Sequence, residues 1–206
     1  MYNIYLYASL QKLRLKRNQI EFLSDGAFYI SGGVIEEISL DRNKIDKVQK
    51  GWLYGLDNLR YLSLANNRID YIATDGWDTL KNLEELDMRS NKLQLLDRES
   101  LCSLPELRFL YLQDNRISHI DGEEGDGYCS ERTFGDVPLL EELYLDGNEI
   151  SHTIEVCKKH YGVTMFFELS IIQIVHAVQM LSTSHFSLFL IYYFNLYLII
   201  KASFSS

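Results

Sequence analysis

Proline and cysteine are both scarce in this 206-residue chain: Pro105 and Pro138, and Cys102, Cys129 and Cys157. Three scattered cysteines exclude a disulfide-built scaffold. The five histidines are scattered too. His152, Cys157 and His160 give H-x4-C-x2-H, but no second cysteine pair completes a zinc site. Asp121, Glu123, Glu124 and Asp126 lack the glycine at position six and the acid at position twelve of a calcium loop. No G-x-S-x-G or G-x-x-x-x-G-K-[ST] occurs, so no catalytic residue, metal or cofactor is expected. Positive charge is in deficit: 20 Lys and Arg against 29 Asp and Glu, a net of −9. Nucleic-acid binding wants a basic stripe, so a nucleic-acid partner is not expected. There is no N-x-[ST] sequon and hence no N-glycan site.

One stretch lacks charge altogether. Between Glu168 and Lys201 no Asp, Glu, Lys or Arg occurs, and Phe186 to Ile200 is nearly all apolar. A bilayer span takes about 20 apolar residues. Residues 180–200 just reach that length, diluted by Ser182, Thr183, Ser184, His185, Ser187 and Asn195. Residues 156–206 are therefore set apart as an apolar, helical tail. Three readings stand for it: an aberrant end, a membrane span near 180–200, or a buried cap. The opening MYNIYLYAS has no basic n-region and no long apolar core, so it does not read as a signal peptide. Ile4 and Tyr7 fall where a preceding coil would place spine residues, so residues 1–9 read as a divergent partial repeat.

What is abundant is a repeated phrase, L-x-x-L-x-L-x-x-N-x-L. It begins at Leu10, Ile35, Leu59, Leu83, Leu107 and Leu140, and its asparagines are Asn18, Asn43, Asn67, Asn91, Asn115 and Asn148. The intervals are 25, 24, 24, 24 and 33 residues. Self-similarity at this period is the mark of a leucine-rich repeat array. The expected fold is an α/β horseshoe solenoid over residues 10–155, with a parallel sheet on the concave face and a mostly irregular convex side. The last interval locates an insertion near 122–132.

Within each copy the period is two, which predicts a short strand. Leu13 with Leu15, Ile38 with Leu40, Leu62 with Leu64, Leu86 with Met88, Leu110 with Leu112, and Leu143 with Leu145 point inward. The asparagine ends the strand, and its amide, with two donors and an acceptor, suits backbone groups of its own and the adjacent coil. The six asparagines are expected to form a structural ladder rather than a binding site. Ten residues further on, Phe28, Leu53, Trp77 and Leu101 form a spine, with Phe134 displaced by the insertion. Leu56, Leu80, Leu104 and Val137 continue it. This spine reads as core.

The outward positions form three columns. They are Lys12, Glu37, Tyr61, Glu85, Phe109 and Glu142; Arg14, Ser39, Ser63, Asp87, Tyr111 and Tyr144; and Lys16, Asp41, Ala65, Arg89, Gln113 and Asp146. With strands about 4.8 Å apart, Phe109, Tyr111 and Tyr144 are expected to cluster, flanked by Glu85, Asp87 and Glu142. Aromatics ringed by charge suit a protein interface, and Tyr61 extends the patch. Tyrosine is also a good strand former that can simply shield a sheet. The basic group Lys12, Arg14, Lys16 and Arg17 reads as a solvated face.

Some phrases go beyond the bare repeat. LRLKRNQIEFLSDGAFY, IEEISLDRNKIDKVQKGWLYGL, LSLANNRIDYIATDGW and LYLDGNEISHTIE resemble the leucine-rich repeats and immunoglobulin-like domains family, over roughly residues 10–155. The resemblance implies the repeat part of an ectodomain that in the family precedes three immunoglobulin-like domains, a single membrane span and a cytoplasmic tail. It also implies protein partners among receptor tyrosine kinase ectodomains, including the epidermal growth factor receptor, and a location at the cell surface. The chain departs from the family in four ways. It has no Cys…Trp…Cys immunoglobulin spacing. YISGGVIEEI is one residue longer than expected and costs a spine leucine. GEEGDGYCSER is inserted, and the tail follows directly on a repeat, as in an internal fragment or altered isoform. The expected function is a non-enzymatic protein-binding module of a receptor-signalling regulator. The alternative is a cytosolic repeat adaptor or scaffold, which the odd cysteine count, the missing signal peptide and the missing sequon suit.

Overall fold

A computed structural model describes residues 10–29, 34–97, 99–121, 137–150 and 164–166. Seven three-residue strands form one parallel sheet: β1 (Lys12–Arg14), β2 (Glu37–Ser39), β4 (Tyr61–Ser63), β6 (Glu85–Asp87), β8 (Phe109–Tyr111), β10 (Glu142–Tyr144) and β11 (Thr164–Phe166). Neighbours in the sheet are successive coils. The constant coil length returns each strand into register, as in Ile38↔Leu62, Leu62↔Leu86 and Leu86↔Leu110. The extra residues between β8 and β10 leave Leu110↔Leu143 paired, so the insertion does not disturb the sheet.

Each strand's inward leucines are sealed by the coils on both sides. Ile38, Leu40, Leu62, Leu64, Leu86, Met88, Leu110, Leu112, Leu143 and Leu145 are all buried, each contributing about 1.5–3 kcal/mol on transfer from water. Leu13 and Leu15 of the first copy are only partly buried. The spine residues Phe28, Leu53, Leu56, Trp77, Leu80, Leu101, Leu104 and Val137 close the other side of the core.

The asparagines bind as a ladder. Asn67 donates from Nδ2 to Leu64 O in its own coil (2.9 Å) and to Leu40 O in the coil before (3.1 Å). Its Oδ1 accepts from the Ile45 amide at 3.1 Å. Asn43, Asn91, Asn115 and Asn148 repeat this three-way pattern. Asn18 bonds only within its own coil among the described residues. The residue before each asparagine turns the chain through a left-handed conformation: Arg17, Arg42, Asn66, Ser90 and Asp114 at φ 55–57°, and Gly147 at φ 70°. That conformation strains any residue with a Cβ, and only Gly147 escapes it.

Two features differ from the sequence-based expectation. An α/β fold was expected, but the described residues contain strands and one 3-10 turn, Glu99–Leu101, and no α-helix. The convex side, expected to be mostly irregular, carries two short strand pairings. β3 (Lys47–Val48) pairs with β5 (Tyr71–Ile72), and β7 (Leu95–Asp97) with β9 (His119–Asp121). Moreover, β11 lies inside the segment read as tail and pairs in register with β10, Leu143↔Met165.

The N-terminal partial repeat at 1–9, the insertion at 122–132, Phe134, His152, Cys157, His160 and the apolar stretch at 180–200 lie outside the described residues. Among the described residues, no helix is long and apolar enough to cross a membrane.

Candidate protein-binding surface

The outward side chains of the sheet do not all reach solvent. In the second and third columns Ser39, Asp41, Ser63 and Asp87 are buried, Asp41 at 8% and Asp87 at 3% exposure. Small hydroxyls alternate with carboxylates there, so they pack flat and bond along the sheet instead of standing up from it. Ser39 Oγ donates to Asp41 Oδ2 at 2.5 Å, and Ser63 Oγ donates to Asp41 and reaches Asp87. Lys16 Nζ lies 2.7 Å from Asp41 Oδ2. Burial pushes the Asp41 carboxyl up, but its bonds from Lys16, Ser39 and Ser63 outweigh this and hold it below the ordinary value. A buried carboxylate with these partners is structural.

Asp87, expected at the rim of the patch, is therefore not open to a partner. It holds Arg89 in a fork: Nη2 donates to Oδ2 at 2.7 Å, Nε to Oδ1 at 3.0 Å, and the Arg89 amide to Oδ1 at 3.1 Å. The guanidinium so fixed stands 5.5 Å from the centre of the Tyr111 ring. Tyr111 in turn stacks on Tyr144, with centroids 4.9 Å apart and planes 18° from parallel. Tyr144 donates its hydroxyl to Glu142 Oε2 at 2.5 Å. Hydrogen bonding to Glu142, then burial, pushes the Tyr144 phenol up to about 12. Burial and the Glu85 charge raise that of Tyr111, and burial chiefly raises that of Tyr61. The result is a continuous plate of Asp87, Arg89, Tyr111, Tyr144 and Glu142 across β6, β8 and β10.

Phe109 does not join that stack. It sits one column over, in register with Glu85 on one side and Glu142 on the other. Tyr61 is in register with Glu85 on the far side. Burial, then the Asp87 charge, pushes the Glu85 carboxyl up. Glu85 has no salt-bridge partner among the described residues. Tyr61, Glu85, Phe109, Tyr111, Glu142 and Tyr144 are all half-buried, with one face packed and one face open.

Sequence reasoning missed a charge ladder at the start of the strands. Arg60 pairs with Glu84 at 3.0 Å and Arg108 with Glu141 at 2.6 Å, while Gln11 donates to Glu36. The signal was present, since the second residue of each copy runs Gln11, Glu36, Arg60, Glu84, Arg108, Glu141. Exposed pairs of this kind contribute little stability each. A half-open hollow of about 340 Å³, lined by Gln11, Val34, Glu36, Asn58, Arg60 and Asn82, lies along the same ladder.

The family described as Leucine rich repeat matches residues 8–69, 34–93 and 73–117, more than half of the chain. The chain belongs to the leucine-rich repeat family. No curated protein matches it. Among solved structures it is similar to that of the TLR13–ssRNA13 complex, with a TM-score of 0.61 and 25% identity over 76% of this chain. It spans 21% of the length of that TLR13 chain. Leucine-rich repeats point to a protein-interaction module, and no catalytic family is indicated.

Proposed function

We propose that the concave sheet face from β4 to β10 binds a protein partner, in a cell-surface regulator of receptor tyrosine kinase signalling. Tyr61, Glu85, Phe109, Tyr111, Glu142 and Tyr144 make the contact, and Asp87 acts from beneath by fixing Arg89. The observation that carries the reading is the Tyr111–Tyr144 stack, clamped by Arg89 on one side and Glu142 on the other. Rigid, amphipathic rings held before binding lose little conformational entropy on contact, which is why such residues dominate interfaces. The resemblance of the repeat phrases to the leucine-rich repeats and immunoglobulin-like domains family supports the receptor kinase partner and the cell-surface location. The fold of TLR13 is compatible with a receptor-type ectodomain. The ssRNA of that complex is not carried over, because a chain with net charge −9 repels a phosphate backbone.

The test is surface plasmon resonance of the full chain on the epidermal growth factor receptor ectodomain. Tyr111→Ala combined with Tyr144→Ala is expected to raise Kd by at least about tenfold, with the circular dichroism spectrum unchanged. An unchanged Kd removes this surface from the proposal. No binding by the wild-type chain to receptor tyrosine kinase ectodomains removes the regulator reading.

A further inference from the structure

The two aromatic centres of the concave face are not equivalent. At Tyr111 the chain supplies its own cation: the Arg89 guanidinium lies over the ring and is forked by Asp87. At Phe109 the same chemical frame is present without the cation. Its neighbours in register are Glu85 on β6 and Glu142 on β10. With one strand spacing to each side, the backbones of Glu85 and Glu142 lie about 10 Å apart, flanking that of Phe109. Tyr144 engages Oε2 of Glu142, and Glu85 takes a hydrogen bond from Tyr111 and feels the Arg89 charge, but among the described residues neither carboxylate has a salt bridge. From Glu85 onward the three columns hold Glu85, Asp87, Glu142 and Asp146 against the single cation Arg89, which Asp87 already engages. This end of the face is therefore complementary to positive charge.

We infer that Phe109, Glu85 and Glu142 form a receiving point for an arginine side chain of the protein partner, its guanidinium over the Phe109 ring and its donors directed to the two carboxylates. A guanidinium is favoured over an ammonium. It is planar and weakly hydrated, it stacks on an aromatic face, and its donors diverge toward acceptors on opposite sides. The charge of an arriving cation offsets the burial and the Asp87 charge that raise Glu85. Arg89 over Tyr111 is the same arrangement already closed within the chain, one column away.

This inference rests on the concave-face reading but is tested without the partner. The full chain is titrated with N-acetyl-arginine amide, and with the isosteric, neutral N-acetyl-citrulline amide, while the ring resonances of Phe109 and Tyr111 are followed by nuclear magnetic resonance. The arginine probe is expected to shift the Phe109 ring saturably and the citrulline probe not at all. Glu85→Gln with Glu142→Gln is expected to weaken the arginine probe at least about tenfold, the scale of two lost charge-assisted bonds. Phe109→Leu, which keeps an apolar residue but loses the π face, is expected to weaken it several-fold. Equal shifts with both probes, or an arginine affinity that Glu85→Gln and Glu142→Gln leave unchanged, overturn the inference. Loss of receptor binding on removing Tyr111 and Tyr144, together with a silent arginine titration, would reject the arginine point while the concave-face reading stands.

Discussion

Removing one ladder asparagine from the middle of the array, and one from its first coil, separates what the ladder contributes from what the leucines contribute. Asn67 is buried and makes three short bonds to backbone groups, with a longer fourth to Ala65 O, while Asn18 is exposed and bonds only its own coil among the described residues. Asn67→Ala does not orphan all three partners equally. Leu40 O still accepts from Asn43, and Leu64 O still accepts from Asn91. The Ile45 amide, beside a side chain that is fully buried, loses the one partner it has and is left unpaired. An unpaired buried donor costs about 1–3 kcal/mol, and each weakened carbonyl about 0.5–1 kcal/mol. The sum, with a small cavity, is about 3–4 kcal/mol. Asn18→Ala leaves Leu15 O still bonded to Asn43 and is expected to cost under about 1 kcal/mol. Urea unfolding followed by circular dichroism measures both, with equal m-values showing that the unfolded states are comparable. If the two variants fall within about 1 kcal/mol of each other, the ladder is not what satisfies the turns, and the reasoning fails.

Two further outcomes follow from single contacts. Trp77 Nε1 donates to Ser100 O at 2.9 Å, whereas Trp52 Nε1 is buried without an acceptor among the described residues. Trp77→Phe should therefore cost about 1–2 kcal/mol more than Trp52→Phe in the same urea assay, and the reverse order would contradict the assignment. Tyr144 titrates late, at about 12 against an ordinary 10.0, because its hydroxyl is bound to Glu142. A phenol raised in the folded state stabilises the fold fully below its unfolded value, and that contribution is lost as pH climbs from 10 to 12. Ultraviolet titration should show a late phenolate component that Tyr144→Phe abolishes and Glu142→Gln moves back toward 10; a late component that survives Tyr144→Phe belongs to another tyrosine.

Much of this architecture is legible in the sequence because the repeat imposes it. Leu62, Leu64 and Asn67 recur with period 24, and anything that recurs must do the same thing in each coil, so the inward leucines and the register are read directly. β11 was not legible. Counted from its register, Gly162 and Ser170 fall where earlier copies have the first leucine and the asparagine, so only Met165, Phe167 and Ile172 keep the pattern. The concave face was legible as columns but not as depths. Strand alternation says that Asp87 and Tyr111 point the same way, yet Asp87 is sealed and Tyr111 is half open. The difference comes from neighbours in space, since Ser63 leaves room for Asp87 to lie down and Arg89 folds over it. Likewise Phe109 and Tyr111 are adjacent in a list of aromatics but belong to different columns, and only Tyr111 meets Tyr144.

The regular columns and the irregular ones divide the work of the molecule. A position that repeats its residue, such as Leu62, Leu86 and Leu110, stacks like on like and stabilises every coil alike. A position that changes its residue gains no like-on-like stacking and is free to define a surface. Tyr61, Glu85, Phe109 and Glu142 follow one another along one column with no two neighbours alike. For the fold alone, Glu85 is a poor choice there. Its carboxyl is raised by burial and by the Asp87 charge, so ionising it is harder in the folded chain than in water, and that weighs against the fold at neutral pH. A glutamine at 85 would keep the shape and remove both effects. A charge held where it opposes folding, beside an aromatic ring and in the same column as a second carboxylate, is what the inferred arginine point requires.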